Sequence, residues 1–126
     1  MKVLLDANAL MIPVQFGIDI FSEIEALVGA YEPVTLVDVT RELAGIASGK
    51  GRDAAAARVG IRLADRCRVE KSPYDDIPVD ERIIRYAVEN GCMVATNDRQ
   101  LRSALLKRNI DVVYLREKKK LEIIRG

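Results

Sequence analysis

The feature that most constrains this chain is an alternation of short apolar runs, each about four residues long, with segments whose apolar residues return at helical spacing. Lys2 to Leu5, Val34 to Val37, Cys67 to Glu70, Cys92 to Ala95 and Val112 to Leu115 read as strands. Between them, residues from about Ile18 to Ala30 are mainly helical, with Ile20, Ile24, Leu27 and Val28 on one face, and Pro33 closes the following turn. Thr40 is a plausible N-cap for a helix from about Arg41 to Ala47. After the Ser48 to Gly51 loop, Arg52 to about Arg66 is helical with Ala56, Val59 and Leu63 facing inward. Another helix runs from Val79 to Asn90, ended by Gly91, and Asp98 can cap a last one reaching about Arg108. Strands that alternate with helices favour parallel pairing through crossover helices. The expected fold is a three-layer α/β/α sandwich around a mostly parallel five-stranded sheet of order 3-2-1-4-5. Leu121 to Ile124 could add a short edge strand.

At 126 residues the chain fits one domain, residues 1–126, with a basic C-terminal segment at 116–126. There is no histidine, which removes Ser-His-Asp and Cys-His catalysis and histidine general-base chemistry. Any catalysis must rest on carboxylates, lysines or a bound metal. The two cysteines, Cys67 and Cys92, form no C-x-x-C pair and read as buried, reduced thiols. No apolar run approaches the roughly 18 to 20 residues that span a bilayer. The start, MKVLLDANALMIPV, is interrupted by Asp6 and lacks a signal-peptide pattern, so a cytoplasmic protein is expected. From Arg99 onward nine Lys/Arg face three Asp/Glu, a balance of +6, which leaves −5 on residues 1–98. An acidic body with a basic end suits a protein that holds cations in one place and a polyanion beside it.

Four acids occupy places the fold does not require. In an open parallel sheet, ligands bind at the carboxyl ends of the strands, above all where the strand order reverses. Asp6 follows the first strand directly and Asp98 lies just beyond the fourth, so order 3-2-1-4-5 sets them across one crevice. Asp98 could equally serve as a plain N-cap; Asp6 is followed by Ala-Asn-Ala, which carries no clear helix start and leaves only a turn role as the alternative. At 100° per residue, Ile83, Ile84 and Ala87 fall at about −60°, +40° and −20° from Asp80, which places this acid on the apolar arc of its helix. Glu42 lies in the first turn after the second strand, about 40° from Ile46. Carboxylates that converge cannot all stay ionised without cations. Oxygen ligands without imidazole or thiolate point to Mg²⁺ or Mn²⁺.

The segments LLDANAL, TRELAGI, VDERIIRYA and VATNDRQLR are similar, in order and spacing, to the four acidic motifs of PIN-domain nucleases. The resemblance implies a divalent-metal-dependent endoribonuclease that cuts single-stranded RNA, with Asp6, Glu42, Asp80 and Asp98 as the metal-binding and catalytic acids. It assigns Asn8, Thr96 and Asn97 to orienting carboxylates or water. The ending DVVYLREKKKLEI resembles archaeal relatives of PIN proteins that process small-subunit ribosomal RNA, which would make a ribosomal RNA precursor the partner. Toxin ribonucleases of toxin–antitoxin pairs share the same core motifs, and PIN domains often form homodimers. Arg99, Arg102, Arg116, Lys118, Lys119 and Lys120 are candidate RNA contacts through phosphates, and Tyr74 is a candidate base-stacking residue. Competing expectations are a catalytically silent RNA- or protein-binding PIN module and a phosphoryl-transfer α/β protein. The latter fits less well, because Asp6-Ala7-Asn8 has an amide where a dehalogenase-like phosphatase needs a second acid.

Overall fold

The computed structural model describes residues 1–126 as six strands and six helices. They follow in the order β1 (Lys2–Leu5), α1 (Ala7–Phe16), α2 (Ile20–Val28), β2 (Glu32–Leu36), α3 (Val37–Ala47) and α4 (Arg52–Ala64). The second half is β3 (Arg68–Glu70), α5 (Val79–Asn90), β4 (Met93–Ala95), α6 (Arg99–Lys107), β5 (Val112–Arg116) and β6 (Lys120–Ile124). The strands form one sheet of order β3-β2-β1-β4-β5-β6. The first five are parallel in the order anticipated, and β6 is added antiparallel to β5 at the edge, with Arg116 opposite Lys120. The sheet therefore has six strands rather than five. No helix is long and apolar enough to cross a membrane.

The central strands are buried on both faces, as parallel strands covered by crossover helices must be. Val3, Leu4, Leu5, Val34, Leu36, Val94 and Val112 are all inaccessible to solvent. One outer layer contains α1, α3 and α4, which pack against one another, and α5 contacts α6 in the other. Helix α4 approaches its neighbours through small residues. A Cβ on Gly60 would lie 3.1 Å from the Leu10 carbonyl oxygen and 3.3 Å from Leu43 Cδ2. Ala54, Ala56, Ala57 and Ala64 are buried with it, whereas Val59 and Leu63, expected to face inward, are half-buried.

Three local expectations differ from the structure. The segment after Asp6 is a helix, α1, rather than a turn. Its buried stretch Ala7 to Ile12 is apolar apart from Asn8, and Pro13 sits inside it, so neither periodicity nor punctuation marks it as a helix. Pro33 lies within β2 instead of before it. There β2 pairs with β1 alone, since pairing to β3 begins at Val34, and a missing N–H is tolerated at such a position. Helix α3 starts at Val37, so Thr40 is not its N-cap; its hydroxyl donates back to the Val37 carbonyl at 2.6 Å.

Candidate active site

The register of the two central strands fixes the first pair of acids. Leu5 of β1 pairs with Ala95 of β4, and the Asp6 amide donates to the Ala95 carbonyl at 3.3 Å, so both chains leave the sheet side by side. Asp6 caps α1, accepting from the Ala9 amide at 2.8 Å, and is buried to 4% exposure. Asp98 caps α6, accepting from the Gln100 and Leu101 amides at 2.9 and 3.1 Å. The buried Thr96 hydroxyl joins them: it donates to the Asp6 carboxylate and accepts from the Asp98 amide. Two carboxylates thus stand at the positive ends of two helices, where the dipoles favour negative charge.

Glu42 and Asp80 approach from the outer helices. Glu42 lies in α3 and Asp80 in the first turn of α5, both largely exposed. Ile83, Ile84 and Ala87 are buried, as the helical wheel requires, but Asp80 lies one turn closer to the open helix end and is not covered. The proton affinities of Asp6, Glu42 and Asp80 are all raised, in each case first by desolvation. Burial pushes Asp6 up to about 7, against the lowering effect of its Thr96 and Ala9 bonds, and the charges of Glu42 and Asp80 add to the rise. Glu42 is raised by partial desolvation and then by Asp80 and Asp98; Asp80 is raised by partial desolvation and then by Asp98.

The four carboxylates do not form a ready-made cage. No group of three or more Asp, Glu, Cys or His side chains is spaced to hold a metal ion. The donor chemistry nevertheless fits a hard divalent cation: every candidate ligand is an oxygen, and the mutual repulsion is what a cation would offset. The exposed Glu42 and Asp80 side chains accept no hydrogen bond from the protein, while Asp6 is held by two.

Asp38 and Arg82, which the sequence reading overlooked, tie the two outer helices together. Arg82 Nη1 donates to Asp38 Oδ1 at 2.5 Å, in a pair whose side chains are only 16% and 9% exposed. Arg82 also donates to the Ile77 carbonyl at 2.8 Å and to that of Asp75 at 2.5 Å. One guanidinium therefore binds α3, α5 and the loop before α5. Asp38 stands one turn before Glu42 and Arg82 two residues after Asp80, so the pair joins the two helices close to the acids they carry.

Of the other anticipated residues, Asn97 accepts from the Leu115 amide at 3.0 Å and so braces the β4–α6 connection against β5. Asn8 is exposed and makes no hydrogen bond through its side chain. Tyr74 does not offer a free ring: Arg85 lies over it at 5.0 Å and its hydroxyl bonds Glu89, on the face of α5 away from Asp80. Arg99, Arg102 and Arg116 gather beside Asp98, and Lys118, Lys119 and Lys120 lie at and just after the β5–β6 turn without ion-pair partners.

Residues 3–118 match the family model described as a PIN like domain. The chain is 35% identical to Ribonuclease VapC4 of Methanocaldococcus jannaschii, over 97% of this chain and 95% of that protein. It is 28% identical to Ribonuclease VapC9 of Archaeoglobus fulgidus, over 92% and 84%. In fold it is similar to the PIN domain endonuclease Utp24, with a TM-score of 0.80, 23% identity and coverage of 99% and 92%. A PilT N-terminus domain protein of Sulfolobus solfataricus superimposes less closely, with a TM-score of 0.58, 14% identity and coverage of 90% and 87%. The reading as a phosphoryl-transfer α/β protein gives way to these matches. With its acids at the carboxyl edge of a 3-2-1-4-5 sheet and its family match spanning nearly the whole sequence, the chain belongs to the PIN-domain family.

Proposed function

We propose that this protein is a divalent-metal-dependent endoribonuclease that hydrolyses phosphodiester bonds of single-stranded RNA. The observation that supports the reading most is electrostatic: the charges of Glu42 and Asp80 add to the raised proton affinity of Asp6, and Asp98 adds to that of Glu42 and Asp80, at the edge of the sheet where Asp6 and Asp98 leave it. These four would hold Mg²⁺ or Mn²⁺. A bound ion of this kind lowers the pKa of its water and stabilises charge on the attacking and leaving oxygens. The chain's own part is positional. The Thr96 hydroxyl and the Ala9 amide fix Asp6, the amides of α6 fix Asp98, and Arg82 holds the helices that carry Glu42 and Asp80. Arg99, Arg102, Arg116 and Lys118 to Lys120 would bind phosphates of the substrate.

Processing of a ribosomal RNA precursor in the cytoplasm is one context for this activity, supported by the look of the C-terminal segment. The toxin of a toxin–antitoxin pair is the second reading, favoured by the two relatives named VapC ribonucleases. A homodimer and a catalytically silent module are further forms the same fold could take. Incubating a labelled single-stranded RNA with the protein and Mn²⁺, then repeating with EDTA, tests the reading. Cleavage that EDTA stops is expected; intact RNA in the presence of folded protein and metal would overturn it, leaving the silent module.

A further inference from the structure

Five cavities of the surface differ sharply in charge. In four of them acids and bases cancel: Arg108 with Asp111, Glu25 with Arg66, Asp19 with Arg66, and Arg85 and Arg108 with Glu81 and Glu89. The fifth, of about 260 Å³, is walled by Arg99, Arg102 and Arg116 against a single acid, Glu117, and so carries +2. It adjoins the catalytic edge, because Asn97 and Arg99 flank Asp98 in the chain and both line it.

The arginines here are poorly neutralised by the protein. Arg99 makes no ion pair or hydrogen bond with any side chain; Arg102 rests its guanidinium over the Tyr114 ring at 4.8 Å. Arg116 meets Glu122 at 3.2 Å, on a surface where such pairs contribute little. Asn97 spends its carbonyl on the Leu115 amide, which leaves its amide nitrogen without a protein acceptor. The outer wall is formed by the end of β5 and the turn that follows it. Glu117 and Lys118 turn the β5–β6 hairpin with φ of 53° and 59°, a left-handed conformation that residues other than glycine rarely adopt.

Resting on the ribonuclease reading, we propose that this cavity is a phosphodiester subsite. It takes a backbone phosphate of a nucleotide flanking the scissile bond, so that the RNA strand crosses the acid cluster and continues over α6 and β5 toward the hairpin. Arginine forks recognise phosphate oxygens in pairs, and a cavity this small suits one backbone unit rather than a duplex.

The test is binding of a fluorescent single-stranded oligoribonucleotide in EDTA, which keeps it intact, as a function of salt. A variant carrying Arg99→Ala, Arg102→Ala and Arg116→Ala is compared with a charge-matched control away from that path, carrying Lys50→Ala, Arg58→Ala and Arg62→Ala. Each phosphate contact contributes about 0.7 to the slope of log K against log salt for a single strand, so the first variant should lose about 2 from that slope. Its affinity at low salt should fall at least tenfold, and in Mn²⁺ its KM should rise with kcat nearly unchanged. The control should stay within about threefold of the parent chain. Equal losses in both variants, or none in the first, would overturn the subsite. If removing Arg102 from Tyr114 unfolds the chain, the pair Arg99→Ala and Arg116→Ala carries the test with a slope change of about 1.4. An oligoglutamate peptide that competes better than RNA, and only in the parent chain, would assign the cavity to an acidic protein and also overturn the proposal. The two readings can fail separately. Selective loss of RNA binding in a chain that never cleaves sinks the nuclease and keeps the subsite; unchanged KM in an active chain does the reverse.

Discussion

The two halves of the acid cluster are held in different ways. Asp6 and Asp98 sit at strand ends, each accepting backbone amides of the helix it caps, with the Thr96 hydroxyl between them. Glu42 and Asp80 accept no hydrogen bond from the protein and are positioned only through α3 and α5, which the Asp38–Arg82 pair joins. The first half is preorganised, since its carboxylates cannot turn without losing caps. The second half is adjustable at the side chain and rigid at the backbone. That division suits a centre whose charges repel until a cation arrives, because two fixed acids define the place and two mobile ones can close on it.

Breaking the bracket of the second half should have the largest effect. Arg82→Ala strands the Asp38 carboxylate and releases the carbonyls of Asp75 and Ile77, with an expected loss of about 2–3 kcal/mol, discounted from a fully buried pair because the side chains are partly wetted. Denaturant unfolding checks this. If the pair serves position as well as stability, the double variant Asp38→Leu and Arg82→Leu should recover much of the stability but little of the cleavage rate. Equal recovery of both would reduce the pair to a structural role.

In the first half, Thr96→Val keeps the shape and removes the hydroxyl. Asp6 loses a donor, the Asp98 amide loses an acceptor, and stability should drop by about 1–2 kcal/mol. Loss of a group that orients a metal-binding carboxylate typically costs 10- to 100-fold in affinity or activity, so weaker metal binding should accompany a decrease in rate of about that size. A rate equal to that of the parent chain would show that the Thr96 bridge does not serve the chemistry.

How far the sequence reveals each half follows from the same contrast. Strand-end acids are legible because parallel-sheet topology fixes where chains leave the sheet, and the order 3-2-1-4-5 together with Asp6 and Asp98 could be written from pattern alone. Locally Asp6 reads as a turn residue, since α1 has apolar residues nearly all around and hides its own N-cap. Helix phase and motif likeness single out Glu42 and Asp80 but not their exposure, because a helical wheel carries no information about where the sheet ends. Asp38 and Arg82 lie 44 residues apart, and no local pattern pairs them. Strand β6 is ambiguous for a different reason: the turn that joins it to β5, Glu117 to Lys119, is wholly charged and lacks glycine, the usual hairpin mark.

The smallest expected effect is a control outside both halves. Asp19 caps α2 and its carboxyl is held below the usual range by hydrogen bonds from the Ser22 side chain and backbone, with the Arg66 charge a lesser contributor. A folded-state value below the unfolded one gives stability that is present above about pH 4 and is lost as pH falls through the folded value. Asp19→Ala should therefore cost roughly 0.5–1 kcal/mol at pH 7, less at pH 3, and leave cleavage unchanged. A loss that does not shrink at low pH would contradict this assignment.

The central claim, that four carboxylates form one cation centre, is tested most directly by titrating Mn²⁺ into the protein and following the free-ion signal by electron paramagnetic resonance. The expected result is saturable binding by the parent chain that Asp6→Asn, which can still cap α1, weakens at least tenfold, with Glu42→Gln, Asp80→Asn and Asp98→Asn each weakening the same site. Binding by folded Asp6→Asn protein as tight as that of the parent chain would contradict the account.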